Sequence, residues 1–203
     1  MTTEHATGPR MSPGWPAVLS HGPLRLRPLV VGDRRAWRKV RQRNMVWLSR
    51  WDATTPPGAD ARPRTFGAMV RSMHKEARAG RQLPFAVEYD GEFVGQLTVN
   101  NIVRGSAQFA SIGYWIDEGH AGQGLMTRAV AMVVDHCFFV LKLHRIEVAI
   151  RPENDASLRI VEKLGIREYG FAPRYLHIDG DWRDHRLFAI TREECPKGLQ
   201  ERL

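Results

Sequence analysis

Apolar and polar positions alternate with several different periods along this chain, and each change of period marks an element. Leu24-Arg25-Leu26-Arg27 alternates strictly, which predicts a half-buried first strand. Trp37, Val40, Trp47 and Trp51 then recur at helical intervals, and Asp33 stands where an N-cap belongs. Pro56, Pro57, Gly58 and Pro63 predict an irregular loop. A second amphipathic helix follows on Phe66, Met69, Val70, Met73 and Ala77, with Gly80 positioned to end it.

Residues 85–89 and 93–99 predict two strands flanking Asp90-Gly91, a hairpin dipeptide because both residues tolerate positive φ. Arg104-Gly105-Ser106 suits another turn, leading into a strand over 107–116. Val130, Val133, Val134, Cys137, Phe138 and Leu141 then share one face of a long helix. Residues 146–150 read as a buried strand, and 155–164 as a short helix stopped by Gly165. Two final strands, near 166–171 and 185–191, are joined across Asp179-Gly180. The order βααβββαβαββ predicts an α/β (α+β) domain with a mixed sheet and helices on both faces.

A chain of 203 residues with no internal repeat supports one domain with a sizeable core. The expected division is a loosely ordered lead-in at 1–23, the domain at 24–192 and a C-terminal tail at 193–203. Hydrophobic and charged fractions of 43% and 26% are ordinary for a soluble protein. No apolar run approaches the roughly 18–20 residues of a membrane span, and the lead-in has no apolar core of a signal peptide. A cytoplasmic protein with no membrane partner is expected. Two isolated cysteines, Cys137 and Cys195, suggest neither a disulfide framework nor a metal site. The net charge of +8 favours acidic partners, including phosphate-rich ligands and RNA. Its densest source is Arg34, Arg35, Arg38, Lys39, Arg41 and Arg43, which form either a solvated helix face or a nucleic-acid contact.

The chemistry is concentrated at residues 110–126, where a strand runs through a glycine-bearing turn into the long helix. Gly122 and Gly124 let backbone N–H groups gather at the helix mouth, where the free donors and the dipole favour phosphate. A tight turn with no ligand would use the same glycines. A nucleoside-triphosphate loop is excluded by the lack of Gly-x-x-x-x-Gly-Lys-Ser/Thr, and a dinucleotide fingerprint by the lack of a third glycine. The pattern Ala121-Gly122-Gln123-Gly124-Leu125-Met126 resembles the pyrophosphate loop of the GNAT superfamily of acetyltransferases, whose motif is Gln/Arg-x-x-Gly-x-Gly/Ala. Ala121 and Met126 depart from that motif.

The resemblance implies the GNAT fold, with a mostly antiparallel sheet whose central parallel strands splay apart, and acetyl-coenzyme A as cosubstrate without a metal. It implies that backbone groups of Trp115 and Ile116 bond the pantetheine arm and polarise the thioester carbonyl. Residues Ala121, Gly122, Gln123, Gly124, Leu125 and Met126 would hold the pyrophosphate, with Thr127 adding a hydroxyl. Asn154 reads by itself as an N-cap, and by resemblance as the asparagine that bonds the arm. Many members place a tyrosine where this chain has Val161; the ribosomal-protein branch uses a serine instead, which matches Ser157 as the acid that protonates the leaving thiolate.

The run Arg174-Tyr175-Leu176-His177-Ile178-Asp179-Gly180-Asp181-Trp182-Arg183-Asp184-His185, with residues 101–106, resembles the branch that acetylates the N-terminal alanine of a small-subunit ribosomal protein. Tyr175, Asp179, Trp182 and Asp184 are then the expected substrate contacts, and a ribosomal protein N-terminus the expected partner, with ribosomal RNA as a further candidate. The glutamate assigned as base in a sister enzyme falls on Leu176. His177 and Glu147 are the remaining candidates for the base, or a water chain ending on a carboxylate. The demand on it is small, since an α-amine of pKa about 7.7–8.0 is already partly neutral near pH 7. Two other functions fit the same fold. One is acetylation of a polyamine, aminoglycoside or other small amine, with Asp117, Glu118, Asp179, Asp181 and Asp184 as an acidic pocket. The other is a ribosome- or RNA-binding module.

Overall fold

Leu24 and Leu26 are buried while Arg25 is exposed, because the strand they build is covered on one face by helices. The computed structural model describes residues 14–59 and 65–203; Pro63 and the first 13 residues of the expected lead-in lie outside the described residues. Eight strands form one sheet in the order β1-β2-β3-β4-β5-β6-β8-β7. They are β1 (Leu19–His21), β2 (Leu24–Pro28), β3 (Leu83–Tyr89), β4 (Glu92–Val103), β5 (Phe109–Ile116), β6 (Arg145–Ile150), β7 (Arg167–Ile178) and β8 (Asp181–Thr191). All neighbours run antiparallel except β5 and β6. That pair is in register only over Phe109–Arg145, Ala110–Ile146 and Ser111–Glu147, after which the two strands part.

Strand alternation divides the interior into two cores. Phe85 and Val87 of β3 join Leu97, Ile112 and the apolar face of helix α4 (Leu125–Asp135). Ala86, between them, joins Leu29, Val40, Val70 and Phe93 on the other face. Helices α1 (Arg34–Arg43) and α3 (Phe66–Arg78) cover that second face. Val130, Val133, Val134, Cys137, Phe138 and Leu141 are all buried as their spacing predicts, the helix ending in a π turn over His136–Val140. Asp90 and Gly91 both have positive φ, 49° and 79°, in the hairpin between β3 and β4.

The structure differs from the sequence expectation at five places. The first helix is two: α1 stops at Asn44, and α2 (Met45–Ser49) starts beyond it. The Asn44 side chain is buried, donates to the Val40 carbonyl and to Asp117, and accepts from the Glu118 N–H. Such side-chain bonding competes with helix continuation. Asp33 does not cap α1 with its side chain; it accepts two hydrogen bonds from Arg27 and one from the Val30 N–H.

Residues 14–23 are not a loose lead-in: β1 pairs with β2, and the buried Trp15 stands edge-on to Phe85 at 5.1 Å. Residues 193–203 are also built into the domain. Leu199 is fully buried, and buried Asp135 accepts the N–H groups of Leu199 and Gln200. Finally, β7 and β8 form a hairpin far longer than expected. Its outer end is held by residues 52–54: Thr54 N–H donates to the His177 carbonyl, and Asp179 N–H to the Asp52 carbonyl. Those bonds cross more than a hundred positions of chain, beyond the reach of any local pattern.

Candidate active site

Where β5 and β6 part, the sheet opens into a cleft of about 1110 Å³. Its floor carries Ile112, Gly113, Tyr114, Trp115 and Ile116 from β5 and Val148, Ala149 and Ile150 from β6. One end reaches the turn before α4. Gly122 and Gly124 there have φ of 76° and 79°, and a Cβ on either would meet nothing within 4 Å. Their need for glycine is therefore conformational, and the space above them is open. Gly124 is the N-cap of α4 and offers no side-chain cap. The first N–H groups of an 11-residue helix are left facing the cleft, a ready anion site. Ala121, Gly122, Gly124, Leu125, Met126 and Thr127 line this end; Met126 and Thr127 are buried in the first turn.

Gln123 points elsewhere. It donates to the Gly119 carbonyl and lines an adjoining cavity of about 340 Å³ with His21, Arg128 and Lys163. Arg128 and Lys163 thus put cationic side chains beside the loop, which favours a ligand with several phosphates. Open positive-φ glycines, an uncapped helix and a gap between parallel strands fit the polyphosphate and extended arm of coenzyme A.

Asn154 and Ser157 meet the same cleft on helix α5 (Asp155–Lys163). Asn154 caps it, its side-chain oxygen accepting the Ser157 N–H at 3.1 Å. Its amide group is not used by that bond. Val161 is packed in the core and contributes no polar group. Tyr114, which the sequence reading passed over, has its hydroxyl buried in the cleft wall without a hydrogen bond of good geometry among the described residues. Burial raises its pKa to about 12, and the nearby Ser157 hydroxyl lowers it only in part. It shares one strand face with apolar Ile112 and Ile116, so periodicity gives no signal that sets it apart.

Neither expected base lines the cleft. Glu147 stands opposite Ser111, where β5 and β6 are still paired, and binds Arg145 at 2.6 Å. His177 faces away from its neighbours Leu176 and Ile178, which do line the cleft; its Nδ1 lies 2.7 Å from the Thr54 hydroxyl and its ring packs on Trp182. The four expected substrate contacts also lie outside the lining. Tyr175 and Trp182 pack on His185 and His177, Asp179 is in the hairpin turn, and Asp184 accepts the Arg174 N–H.

Asp117, Glu118, Asp181 and Asp184 do not form an acidic pocket with Asp179, since none of the five lines the cleft. Asp117 is instead a structural acceptor at the end of β5. Burial raises its pKa, but hydrogen bonds from Arg43, Asn44 and His120 outweigh it and hold the carboxyl at about 2. The carboxylates that do line the cleft include Asp52, Glu76 and Glu153, each bound to an arginine: Arg41, Arg81 and Arg151.

His185 of β8 does reach the cleft. It is 3% exposed, and its Nδ1 lies 2.9 Å from the Arg183 carbonyl. Beyond it the lining turns apolar and aromatic, with Trp47, Leu48, Trp51, Met69 and Met73 facing Leu176 and Ile178. Among the described residues no group of three or more metal-ligating side chains occurs, and no helix is long and apolar enough to cross a membrane.

Comparison with known proteins agrees with this geometry. Residues 23–167 match the acetyltransferase (GNAT) domain family. The probable N-acetyltransferase YjcK of Bacillus subtilis is 45% identical over 105 residues, spanning 52% of this chain and 58% of that protein. The ribosomal protein uS5-alanine N-acetyltransferase of Escherichia coli is 32% identical over 177 residues, 83% of this chain and 89% of the relative. The solved structure of Mycobacterium smegmatis RimJ in complex with CoA-disulfide has 42% identity and a TM-score of 0.86, covering 95% of this chain and 96% of that one.

Proposed function

The chain belongs to the GNAT acetyltransferase family, and from that premise we propose that it transfers the acetyl group of acetyl-coenzyme A to the α-amine of a protein N-terminus. The acceptor is an N-terminal alanine on a small-subunit ribosomal protein, and the reaction takes place in the cytoplasm. The observation that carries this reading is the two-ended cleft: an anion site on the α4 terminus at one end, an apolar groove between α2, α3 and β7 at the other. The likeness to the alanine acetyltransferase of Escherichia coli and to RimJ supports the choice of acceptor.

When bound, acetyl-coenzyme A supplies a thioester carbon that an amine attacks directly. The residues of the chain do the rest. N–H groups at the start of α4, the Gly122–Gly124 turn and the Thr127 hydroxyl hold the phosphates, while Asn154 and the exposed edge of β5 at Trp115 and Ile116 hold the arm. Fixed donors on that edge favour charge developing on a carbonyl oxygen. Ser157 gives a proton to the departing sulfur, whose ordinary pKa of about 8.5 demands only modest help. A small first side chain is preferred, because the amine must come within about 3–3.5 Å of the carbon it attacks. The apolar lining and the arginine-bound carboxylates suit a peptide better than a small polycation.

Docking on ribosomal RNA accompanies catalysis in this reading. Arg34, Arg35, Arg38 and Lys39 are exposed on α1 and have no ion pair among the described residues, whereas Arg41 and Arg43 are paired with Asp52 and Asp117. Affinity for small ribosomal subunits is then expected to fall steeply with salt; a flat response removes this part.

Mass spectrometry of two peptides tests the acceptor. A peptide starting with alanine is expected to gain one acetyl on its α-amine, and the same peptide with a blocked N-terminus and a free lysine is expected to gain none. Comparable acetylation of the lysine refutes the N-terminal assignment.

A further inference from the structure

Every acetyl transfer to an amine needs a proton acceptor, and the two candidates read from the sequence lie outside the cleft. The acceptor must therefore be sought among the groups that line it. Asp52, Glu76 and Glu153 are each bound to an arginine guanidinium. Asp155 sits in the first turn of α5, where its charge offsets the helix dipole. His120 lies at the phosphate end, its Nδ1 2.7 Å from Asp117. Tyr114 is a weak acid in a buried wall and serves better as a donor than as an acceptor.

His185 differs from all of these. It lines the cleft, and register carries it to the open end of β6: Ile150 pairs with Arg186, so His185 comes next, beside Arg151, which lines the opening too. Its other neighbour across β7 is Ala172, a small residue that leaves the ring room. The Arg183 carbonyl at 2.9 Å can only accept, so Nδ1 carries the proton and Nε2 is left with its lone pair. No protein group among the described residues bonds Nε2. The ring is further fixed by Tyr175, whose ring stands edge-on at 5.8 Å. An oriented imidazole in the wall of a ligand cleft, with one nitrogen anchored to backbone and the other unbonded, has the form of a general base.

We propose that His185 Nε2 is the proton acceptor for the incoming amine. The inference rests on the acetyltransferase reading above. The α-ammonium arrives with three protons and the amide keeps one. His185 removes one before attack and releases it to solvent. As the N–C bond forms, nitrogen gives its second proton to the same Nε2; as the C–S bond breaks, Ser157 protonates the sulfur, and the proton held on His185 passes through cleft water to restore the Ser157 hydroxyl. Burial keeps the imidazole neutral by lowering its pKa, with Arg151 acting the same way, against the Arg183 carbonyl, Glu153 and Asp184. Those are the charged and titratable groups that face it from β8 and from the loop after β6; Tyr175 faces it from β7.

Two measurements test the assignment. In nitrogen-detected NMR of the ligand-free protein, His185 is expected as the Nδ1–H tautomer, protonating at a pH below the ordinary histidine value of about 6.5. An Nε2–H tautomer, or a ring that is charged near neutral pH, overturns it whatever the acceptor. In the alanine-peptide assay, His185→Gln is expected to lower kcat about 100-fold with little change in KM. Wild type is expected to show an acid limb in its kcat profile, and the variant to lose it. Wild-type kcat in the variant, or a persisting acid limb, refutes the base. A wild-type protein inactive on the alanine peptide refutes the substrate reading instead, and the tautomer still decides His185.

Discussion

Arg43 donates two hydrogen bonds to Asp117 across 74 positions of sequence, from Nε at 2.8 Å and Nη2 at 2.7 Å. The pair ties the end of α1 to the end of β5, immediately before the turn that leads to Gly122 and Gly124. Asn44 and His120 bond the same carboxylate. The approach to the anion site is thus held by one buried anion and three donors.

That arrangement sets an acid-stability window. The Asp117 carboxyl is depressed to about 2 in the folded state, below its unfolded value of about 3.9. A depressed carboxyl contributes stability above the unfolded pKa and loses it as pH falls through the folded one, so the loss falls between about pH 4 and pH 2. Asp117→Asn is expected to cost about 2 kcal/mol near neutral pH and to flatten that window. Thermal melts of both proteins across it check the claim; parallel curves refute it.

Gly124 tests the anion site. With φ at 79° and open space around its missing Cβ, Gly124→Ala meets backbone strain alone. A cost of about 1–2 kcal/mol is expected, felt as roughly 10-fold weaker coenzyme A binding by calorimetry if the turn relaxes out of shape. Unchanged affinity would mean that the turn is a turn and nothing more.

For the acid, Ser157→Ala is expected to lower kcat by roughly 10- to 1,000-fold with KM little changed. Tyr114→Phe removes the buried hydroxyl beside it and is expected to lower kcat further in the Ser157 variant only slightly, if the two hydroxyls act in one relay. Full additivity of the two effects would separate them. A raised KM with unchanged kcat would make Ser157 a binding residue.

The rejected bases make the converse test. Glu147→Gln and His177→Gln are expected to keep kcat within about two-fold, since a substitution away from the reacting atoms leaves the transition state alone. The acid limb of the pH profile is expected to persist in both. A large loss of kcat in either would restore that residue to the cleft.

The C-terminal segment is expected to behave as core. Leu199→Ala removes a fully buried side chain and is expected to cost about 2–5 kcal/mol by chemical denaturation. A cost near zero would return residues 193–203 to the standing of a tail.

The elements themselves were legible in the chain because short-range rules govern them. Leucine–arginine alternation at 24–27, the Asp90-Gly91 turn and the helical face from Val130 to Leu141 depend on neighbours within one or two turns, and all three hold in the fold. The Gly122 and Gly124 positions were legible for the same reason, since positive φ is a local demand. Asn44 was missed because a polar residue inside a helical run signals a break only when a distant acceptor such as Asp117 exists to hold it.

The site divides along the same line. Asn154 and Ser157 follow a fixed interval on one helix, so sequence alone brought them together. Which groups join them across the cleft depends on where β5 and β6 part and on which face each strand residue takes, and a one-residue shift reverses that face. Glu147 fell on the paired side of the fork, His177 on the outer face of β7, and His185 on the inner face of β8. Local periodicity determined the elements and the phosphate-type turn. Only the long-range pairing of β6, β7 and β8 decided which histidine of the β7–β8 hairpin lines the cleft, because register is set by contacts between strands that no single stretch of chain contains.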